Sequence, residues 1–161
     1  MNIFPLTPGV VLNVLIVGPI AARNECLAEL IADPDRVVVV DTVTKMRHAL
    51  LLAEWEKPDV VLLDPNMAGD ALSQTISLLK EIAPPPAVIV LALEAPLLLR
   101  SRCLELGARH VFDETTELDS LFAALQTLRN GKTEASSRKH HSILHGSAIR
   151  GRIPFANGIK G

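Results

Sequence analysis

The chain has 161 residues, of which 48% are hydrophobic and 21% charged, a composition typical of one soluble domain with a sizeable core. Aromatic residues make up only 3%, so stacking platforms for single-stranded nucleic acid are not expected. The net charge of −2 is unevenly divided, because residues 1–130 carry a balance of −7 and residues 131–161 one of +5. No apolar run reaches the ~18 residues of a membrane span, and we expect a cytoplasmic protein without membrane contact.

Apolar strand runs alternate with helical stripes along residues 11–130, after a proline-containing lead-in at residues 1–10. The patterns predict strands at residues 11–17, 36–41, 59–64, 87–93 and 109–112. They predict helices at residues 21–32, 44–56, 70–82 and 97–106, and a last helix that opens with Thr116 and Asp119 at capping-box spacing. Four consecutive valines predict that the second strand is short and buried. From Gly131 onward the periodicity ends, which indicates a basic, disordered tail at residues 131–161.

The alternation of five strands with five helices predicts an α/β domain with a parallel sheet and helices on both faces. Its third strand is continuously apolar and ends in Asp64, which is followed by turn-forming residues. Asp64 is therefore expected at the carboxyl end of a buried strand, where open α/β sheets place ligand sites. One carboxylate at such a point can serve as a nucleophile, a metal ligand or a cap of the strand end.

Candidate core residues lie on the helical stripes. These residues are Leu27, Leu30 and Ile31 in the first helix and Leu118, Leu121, Phe122, Leu125 and Leu128 in the last. The two cysteines, Cys26 and Cys103, fall on predicted helices without ligand-like spacing, and we expect both to be buried free thiols.

The segment from Lys57 to Gly69, with its apolar run, Asp64 and the turn after it, and three shorter segments together resemble response regulator receiver domains, the phosphoacceptor modules of two-component signalling. The segment from Lys57 to Gly69 is similar to the one that carries the phosphoacceptor aspartate and its turn, and Asp64 takes the phosphoacceptor position. The other similar segments are residues 15–17, 88–91 and 104–113, which match the family's first strand, its fourth strand and its approach to the fifth. The resemblance implies a flavodoxin-like receiver fold over residues 11–130, with strand order 2-1-3-4-5.

Five positions of the expected site depart from the receiver pattern. The family's acidic pair after the first strand, which holds Mg²⁺, is replaced by Gly18 and Pro19. Its hydroxyl residue at the end of the fourth strand is Ala92, and its switch aromatic on the fifth strand is Val111. Its phosphate-pairing Lys is Glu114, a reversal of charge that would repel an incoming phosphoryl group.

The departures imply a degenerate receiver, or pseudo-receiver, that works as a stand-alone protein-interaction module in a phosphorelay pathway. On this hypothesis the chain is not an enzyme, needs no cofactor or metal, and binds a signalling protein such as a histidine kinase or another regulator. The alternative is an active response regulator that a histidine kinase phosphorylates on Asp64 with Mg²⁺. That alternative requires another carboxylate, such as Asp41 or Asp113, in the space of the missing acidic pair.

Asp113 and Glu114 could also form an acidic metal site with Asp64, although we expect a solvated loop there.

The predicted fourth helix carries apolar residues on more than one side. Leu99, Cys103 and Leu106 form a stripe that can face the core, which leaves Leu97 and Leu104 on the far side. An exposed apolar strip would mark a partner surface, and the resemblance implies contacts through the fourth helix, fifth strand and fifth helix, including a homodimer. Loops that cover these leucines are the alternative.

The tail concentrates basic residues and histidines at Arg138, Lys139, His140, His141 and His145. A disordered, solubilising segment is the expected interpretation. The alternatives are transition-metal binding by the histidines and a nucleic-acid adaptor that uses the positive charge. The tail is too short for a helix-turn-helix output domain, and nucleic acid is not the expected partner.

Overall fold

A computed structural model describes residues 9–67 and 71–135 of the chain. Within these residues, strands and helices alternate from one end to the other. In chain order they are β1 (Leu12–Val17), α1 (Ala21–Ile31), β2 (Val37–Val43), α2 (Met46–Glu56), β3 (Val60–Leu63), α3 (Ala71–Lys80), β4 (Ala87–Ala92), α4 (Leu97–Leu106) and β5 (His110–Asp113). A fifth helix, α5, covers residues 118–135. No helix in this part of the chain is both long and apolar enough to cross a bilayer.

The strands form one parallel sheet in the order β2-β1-β3-β4-β5, which confirms the predicted topology. Register aligns the carboxyl ends of the central strands, since Val17 of β1 pairs with Leu63 of β3 and Leu63 pairs with Val90 of β4. At the next pair, Ala92 lies opposite Asp113. The residues that follow these strands therefore meet along one edge of the sheet, which we call the carboxyl edge.

Helices cover both faces of the sheet, as predicted. On one face, α2, α3 and α4 pack Ala49, Ile76 and Cys103 against alternate strand residues such as Leu63. On the other face, α1 and α5 pack their buried leucines against the intervening strand residues such as Leu62. Successive side chains of a strand point to opposite faces, so a continuously apolar strand such as β3 contributes to two cores at once.

The prediction that the second strand is buried is wrong. β2 runs from Val37 to Val43 and is buried only at its two ends, because it lies at the edge of the sheet and pairs with β1 alone. The predicted stripe of α1 is also partly wrong. Leu27 and Ile31 are buried together with Asn24, whereas Leu30 is exposed. Leu30 lies about 100° around the helix axis from Ile31, outside the sector that faces the sheet.

The two cysteines differ in environment. Cys103 on α4 is buried and free, as predicted, and burial raises the pKa of its thiol. Cys26 on α1 is free but exposed, so its predicted burial is wrong. Its position immediately before Leu27 places it on the solvent side of an amphipathic helix.

The last helix begins later and extends further than the sequence pattern predicts. Helix α5 starts at residue 118, so the Thr116–Asp119 spacing does not mark its first turn. Leu121 and Leu125 are buried as predicted, but Phe122 is exposed. The helix continues through Gly131 to residue 135, past the predicted domain boundary. The rest of the predicted tail, with all its histidines, lies outside the described residues, as do residues 1–8 of the lead-in.

Candidate functional site

Asp64 directly follows β3 at the carboxyl edge, and its side chain is almost fully buried. Its backbone N–H donates to the Val17 carbonyl at 2.9 Å, which continues the β1–β3 pairing by one residue. Its Oδ1 accepts a hydrogen bond from the Asn66 backbone N–H at 2.8 Å. This carboxylate-to-backbone bond closes a local turn of the kind that aspartate favours. One of the two Asp64 oxygens thus holds the turn after the strand.

The other Asp64 oxygen bonds to an arginine that sequence reasoning did not identify. Arg23 lies in the first turn of α1, and its Nη1 donates to Asp64 Oδ2. The same guanidinium donates through Nε, at 3.1 Å, and through Nη2 to Glu114 Oε2. The side chains of Arg23, Asp64 and Glu114 are 20%, 9% and 21% exposed. Two carboxylates therefore share one cation in a partly buried position, and this cluster carries a net charge of −1.

Gly18 and Pro19, which the resemblance aligns with the acidic pair of receivers, follow β1 beside Asp64. The Asn24 side chain fills the space next to Gly18, because its Nδ2 donates to the carbonyls of Gly18 at 2.8 Å and Val43 at 3.2 Å. A Cβ atom added at Gly18 would lie 2.6 Å from Asn24 Oδ1 and 3.2 Å from Asp64 Cβ. A carboxylate at this position would require the Asn24 side chain to move. Pro19 is exposed and has no side-chain donor or acceptor.

Ala92, Val111 and Glu114 lie on the neighbouring strands β4 and β5 or directly after them. Ala92 is buried at the end of β4, and its carbonyl accepts a hydrogen bond from the Glu114 backbone N–H at 2.7 Å. Val111 is buried in the core on the α2–α4 face and pairs with Val90. Glu114 joins Asp64 through Arg23, so the structure brings this residue into the candidate site.

The carboxylates proposed to replace the missing acidic pair are engaged elsewhere. Asp113 Oδ1 accepts from the backbone and hydroxyl of Thr115, and Oδ2 accepts from the Ala95 N–H at 3.3 Å. These hydrogen bonds, with the Thr115 hydroxyl first, lower the pKa of the Asp113 carboxyl. Asp41 pairs with Leu15 inside β2, two residues before that strand ends. Within residues 9–67 and 71–135, no three His, Cys, Asp or Glu side chains are grouped to hold a metal ion.

A second arginine, Arg100, ties α4 to β5 and α5. Its Nε donates to the Ala95 carbonyl at 2.7 Å, its Nη1 to the Val111 carbonyl at 3.1 Å, and its Nη2 to Glu117 Oε1. Glu117 Oε1 also accepts from the Asp113 backbone N–H at 2.9 Å. The Arg100 hydrogen bond, followed by this backbone bond, lowers the pKa of the Glu117 carboxyl.

The outer surface of α4 carries three exposed leucines beside the exposed polar residues Ser101, Arg102 and Glu105. Leu97 and Leu98 are 78% and 82% exposed, and Leu104 is also exposed. Leu99 and Leu106 pack on the core beside Cys103, as the stripe predicted. No described loop covers the outer leucines, so the candidate interface residues Leu97 and Leu104 face solvent in this part of the chain.

The sequence contained a usable signal for the missed residues Arg23 and Asn24. Both lie in the first turn of the helix that follows β1, and parallel topology brings that turn to the carboxyl edge. Two acidic residues at the same edge require a nearby cation to offset their charge. Arg23 is the basic residue nearest in sequence to the end of β1.

No protein-family model matches this sequence. The chain is 32% identical over 99 residues to a protein-glutamate methylesterase/protein-glutamine glutaminase of Caldanaerobacter subterraneus subsp. tengcongensis. The match covers 60% of this chain and 27% of that protein, so the chain spans only a minor part of its relative.

Solved receiver domains share the architecture over most of their length. The response regulator domain of Thermotoga maritima CheB is 24% identical, with a TM-score of 0.62 over 74% of this chain and 97% of that one. The signal receiver domain of Mycobacterium tuberculosis NarL is 21% identical, with a TM-score of 0.64 over 76% of this chain and 98% of that one. This chain has the receiver-domain fold. The resemblance of the sequence predicts the phosphoacceptor position at Asp64, and in the structure Arg23 lies against this carboxylate.

Proposed function

We propose that this receiver fold is a two-component signalling module that acts in the cytoplasm through protein–protein contacts, without Mg²⁺-dependent phosphorylation of Asp64. The observation that carries the proposal is the pairing of Arg23 with both Asp64 and Glu114. The receiver fold and the similarity to receiver-containing proteins support the signalling role. The methylesterase activity in the relative's name belongs to a protein of which this chain covers 27%, and we do not propose it here.

Phosphoryl transfer to a carboxylate depends on positioning and on cations that offset the charge of the transferred group. Both Asp64 oxygens already accept hydrogen bonds, one from Arg23 and one from Asn66. The positive charge of Arg23 is already shared with Glu114, so a phosphoryl donor meets a cluster of net charge −1. Ala92 provides no hydroxyl to hold a phosphoryl oxygen. These features disfavour transfer to Asp64.

The described residues also do not fit Mg²⁺, the cation that receivers use. Mg²⁺ requires near-octahedral oxygen ligands, commonly one or two carboxylates with several waters. Asp64 and Glu114 both direct an oxygen to the Arg23 guanidinium, and Asn24 fills the space where a side chain at position 18 would enter. We therefore propose that the module works with no metal and no cofactor.

The exposed leucines of α4 are the proposed contact surface for a signalling protein, either a histidine kinase, another regulator or a second copy of this chain. Leu97, Leu98 and Leu104 provide the apolar area. Arg100 holds this helix to β5 and to Glu117 at the start of α5, so the surface is fixed without an external ligand. A module with this arrangement would present its contact surface constitutively.

Nuclear magnetic resonance tests the phosphorylation part of the proposal. A ¹H-¹⁵N titration with Mg²⁺ and then beryllofluoride, a phosphoryl mimic, should leave the amides of Asp64, Asn66 and Arg23 unshifted. Saturable shifts at Asp64 that spread to α4 and α5 would instead support the alternative, an active response regulator phosphorylated on Asp64 by a histidine kinase. The Arg23→Gln variant, titrated in parallel, reports whether the guanidinium is what excludes the cation.

Sedimentation measurements test the contact surface for its simplest partner, a second copy of the chain. We expect wild-type self-association that Leu97→Asp weakens, because a carboxylate in an apolar contact must lose its hydration. The matched control is Leu51→Asp on α2, which alters another exposed leucine away from α4. An equal effect of the two substitutions would exclude α4 as the specific surface.

A further inference from the structure

A cleft of about 410 Å³ lies at the end of the sheet opposite the carboxyl edge, where the strands begin. Its walls come from the end of α3, the turn between α4 and β5, and the last turns of α5. Apolar residues, including Pro85 and Leu128, form part of its accessible lining. Three cations, Lys80, Arg109 and Lys132, line it with one carboxylate, Asp59. Asp59 of the cleft lies five residues before Asp64 along the chain. At about 3.3 Å per strand residue, the cleft is about 16 Å from Asp64.

The charges of the cleft are not balanced internally. Lys132 Nζ pairs with Asp59 Oδ2 at 2.7 Å and donates to the Val11 carbonyl at 2.8 Å. Asp59 Oδ2 also accepts from the Asn13 backbone N–H at 2.7 Å. Lys80 and Arg109 form no ion pair with any described residue. Two positive charges therefore remain unpaired beside an apolar lining.

The backbone at Gly107 brings Lys80 close to the turn that precedes Arg109. Gly107 has φ +115°, and an added Cβ atom would lie 2.5 Å from Lys80 Cδ and 2.6 Å from Lys80 Nζ. The absence of a side chain at this position lets Lys80 lie across the turn. The Arg109 backbone N–H donates to the Val88 carbonyl at 2.7 Å, which fixes the start of β5. Both unpaired cations thus line the same cleft, Lys80 across the turn at Gly107 and Arg109 two residues after it.

We infer that this cleft binds a small organic phosphate, with its dianionic group between Lys80 and Arg109 and its carbon body against Pro85 and Leu128. The charge of a phosphate monoester matches the two unpaired cations, and an arginine fork can bond two of its oxygens. The volume lies within the range of small-molecule sites. The inference does not depend on the state of Asp64.

Phenyl phosphate is the probe, and a ¹H-¹⁵N titration of the full chain is the measurement. We expect saturable shifts at Val88, Gly107 and Arg109. Lys80→Gln and Arg109→Gln should each weaken binding about fivefold to tenfold, since each removes one charged hydrogen-bond donor. Asp59→Asn should strengthen binding, because Asp59 is the only carboxylate among the described residues of the cleft lining. A decrease in affinity with Asp59→Asn would contradict the electrostatic basis of the site.

Arg47→Gln is the matched control, because Arg47 is an exposed arginine in the first turn of α2, at the carboxyl edge. Arg47→Gln should leave the affinity for phenyl phosphate unchanged. If Arg47→Gln and Arg109→Gln lowered this affinity equally, the binding would be non-specific attraction by the net charge of the protein. Inorganic phosphate should bind at the same amides but more weakly, whereas equal affinity would exclude a contribution from the apolar lining. Phenol should not reproduce the shifts. The absence of saturable shifts with phenyl phosphate would overturn the inference.

Discussion

Arg23 determines how Asp64 and Glu114 coexist at the carboxyl edge. Two carboxylates about 5 Å apart repel each other by roughly 3 kcal/mol at an effective dielectric constant of ~20. A guanidinium that bonds to both removes that repulsion and satisfies the desolvated oxygens. The reversal of charge at Glu114 is thus compensated inside the protein, at the cost of the cation that a phosphoryl group would need.

We predict that Arg23→Gln lowers the free energy of unfolding by about 1–3 kcal/mol, because it leaves two partly buried carboxylates without a cation. Chemical denaturation measures the change. Glu114→Gln in the same chain should recover part of the loss, since one negative charge then remains. Arg36→Gln is the control, because Arg36 approaches Asp33 only at 3.9 Å with both side chains about half exposed. Its effect should stay within about 0.5 kcal/mol, and an equally small effect of Arg23→Gln would contradict the prediction.

The lowered pKa of Glu117 makes folding sensitive to acid. A carboxyl whose pKa is lower in the folded state stabilises the fold above its unfolded value of about 4.3 and loses this contribution as the pH falls through the folded value. Arg100→Gln removes the largest cause of the lowered pKa, so the Glu117 pKa should rise. The variant should then lose less stability than the wild type when the pH is lowered. Carbon-detected NMR titration of the carboxyl measures the pKa. Arg102→Gln on the same helix should not change it, and an unchanged pKa in Arg100→Gln would exclude Arg100 as the cause.

At the residue scale, sequence reasoning compared the site positions with a known pattern but did not identify Arg23 and Asn24, which bond to Asp64 and Gly18. Gly18 and Ala92 could be read from their alignment with a known pattern. Arg23 and Asn24 were not identified, because that pattern assigns them no role and Arg23 bonds to residues 41 and 91 positions away in sequence. The reach of a long arginine side chain depends on its rotamer and on neighbouring charges, which periodicity does not encode.

At the scale of elements, the errors came from features that tertiary structure decides. Four valines favour a strand through their β-branched side chains, but whether the strand is central or at an edge depends on the sheet order. Helices α2 and α3 begin and end within two residues of the predicted ranges, 44–56 and 70–82. In α1, the polar Asn24 can be buried because its side chain donates hydrogen bonds to the Gly18 and Val43 carbonyls. Leu30 on the same helix remains exposed.

The two cysteines provide a direct test of helix orientation. In the folded protein, iodoacetamide should alkylate the exposed Cys26 and leave Cys103 unmodified, because burial both excludes the reagent and raises the Cys103 pKa. Mass spectrometry of the digested protein identifies the modified residue, and Cys26→Ser should abolish the native-state reaction. Denaturant should expose Cys103. Equal alkylation of both thiols under native conditions would mean that α4 does not cover the sheet as described.

At the scale of the whole molecule, one sheet separates two chemically different edges. The carboxyl edge holds the acidic cluster around Arg23, and the opposite edge holds the cationic cleft. Strand order and helix layers followed from the alternation of elements and the resemblance, because both depend on patterns that extend over many residues. The end of α5 could not be predicted in this way, because Gly131 disfavours a helix, whereas the tertiary contacts of Arg129 and Lys132 hold this part of the helix to the domain.

These contacts predict that a chain ending at residue 130 is less stable than one ending at residue 135. The shorter chain loses the Lys132 bonds to Asp59 and to the Val11 carbonyl, which together contribute about 1–2 kcal/mol. Urea denaturation of the two truncated chains measures the difference. Lys132→Met in the full chain should reproduce most of it, because the helix stays intact while both bonds disappear. Equal midpoints for the two truncations would mean that the domain ends at residue 130 and that Lys132 contributes nothing to its stability.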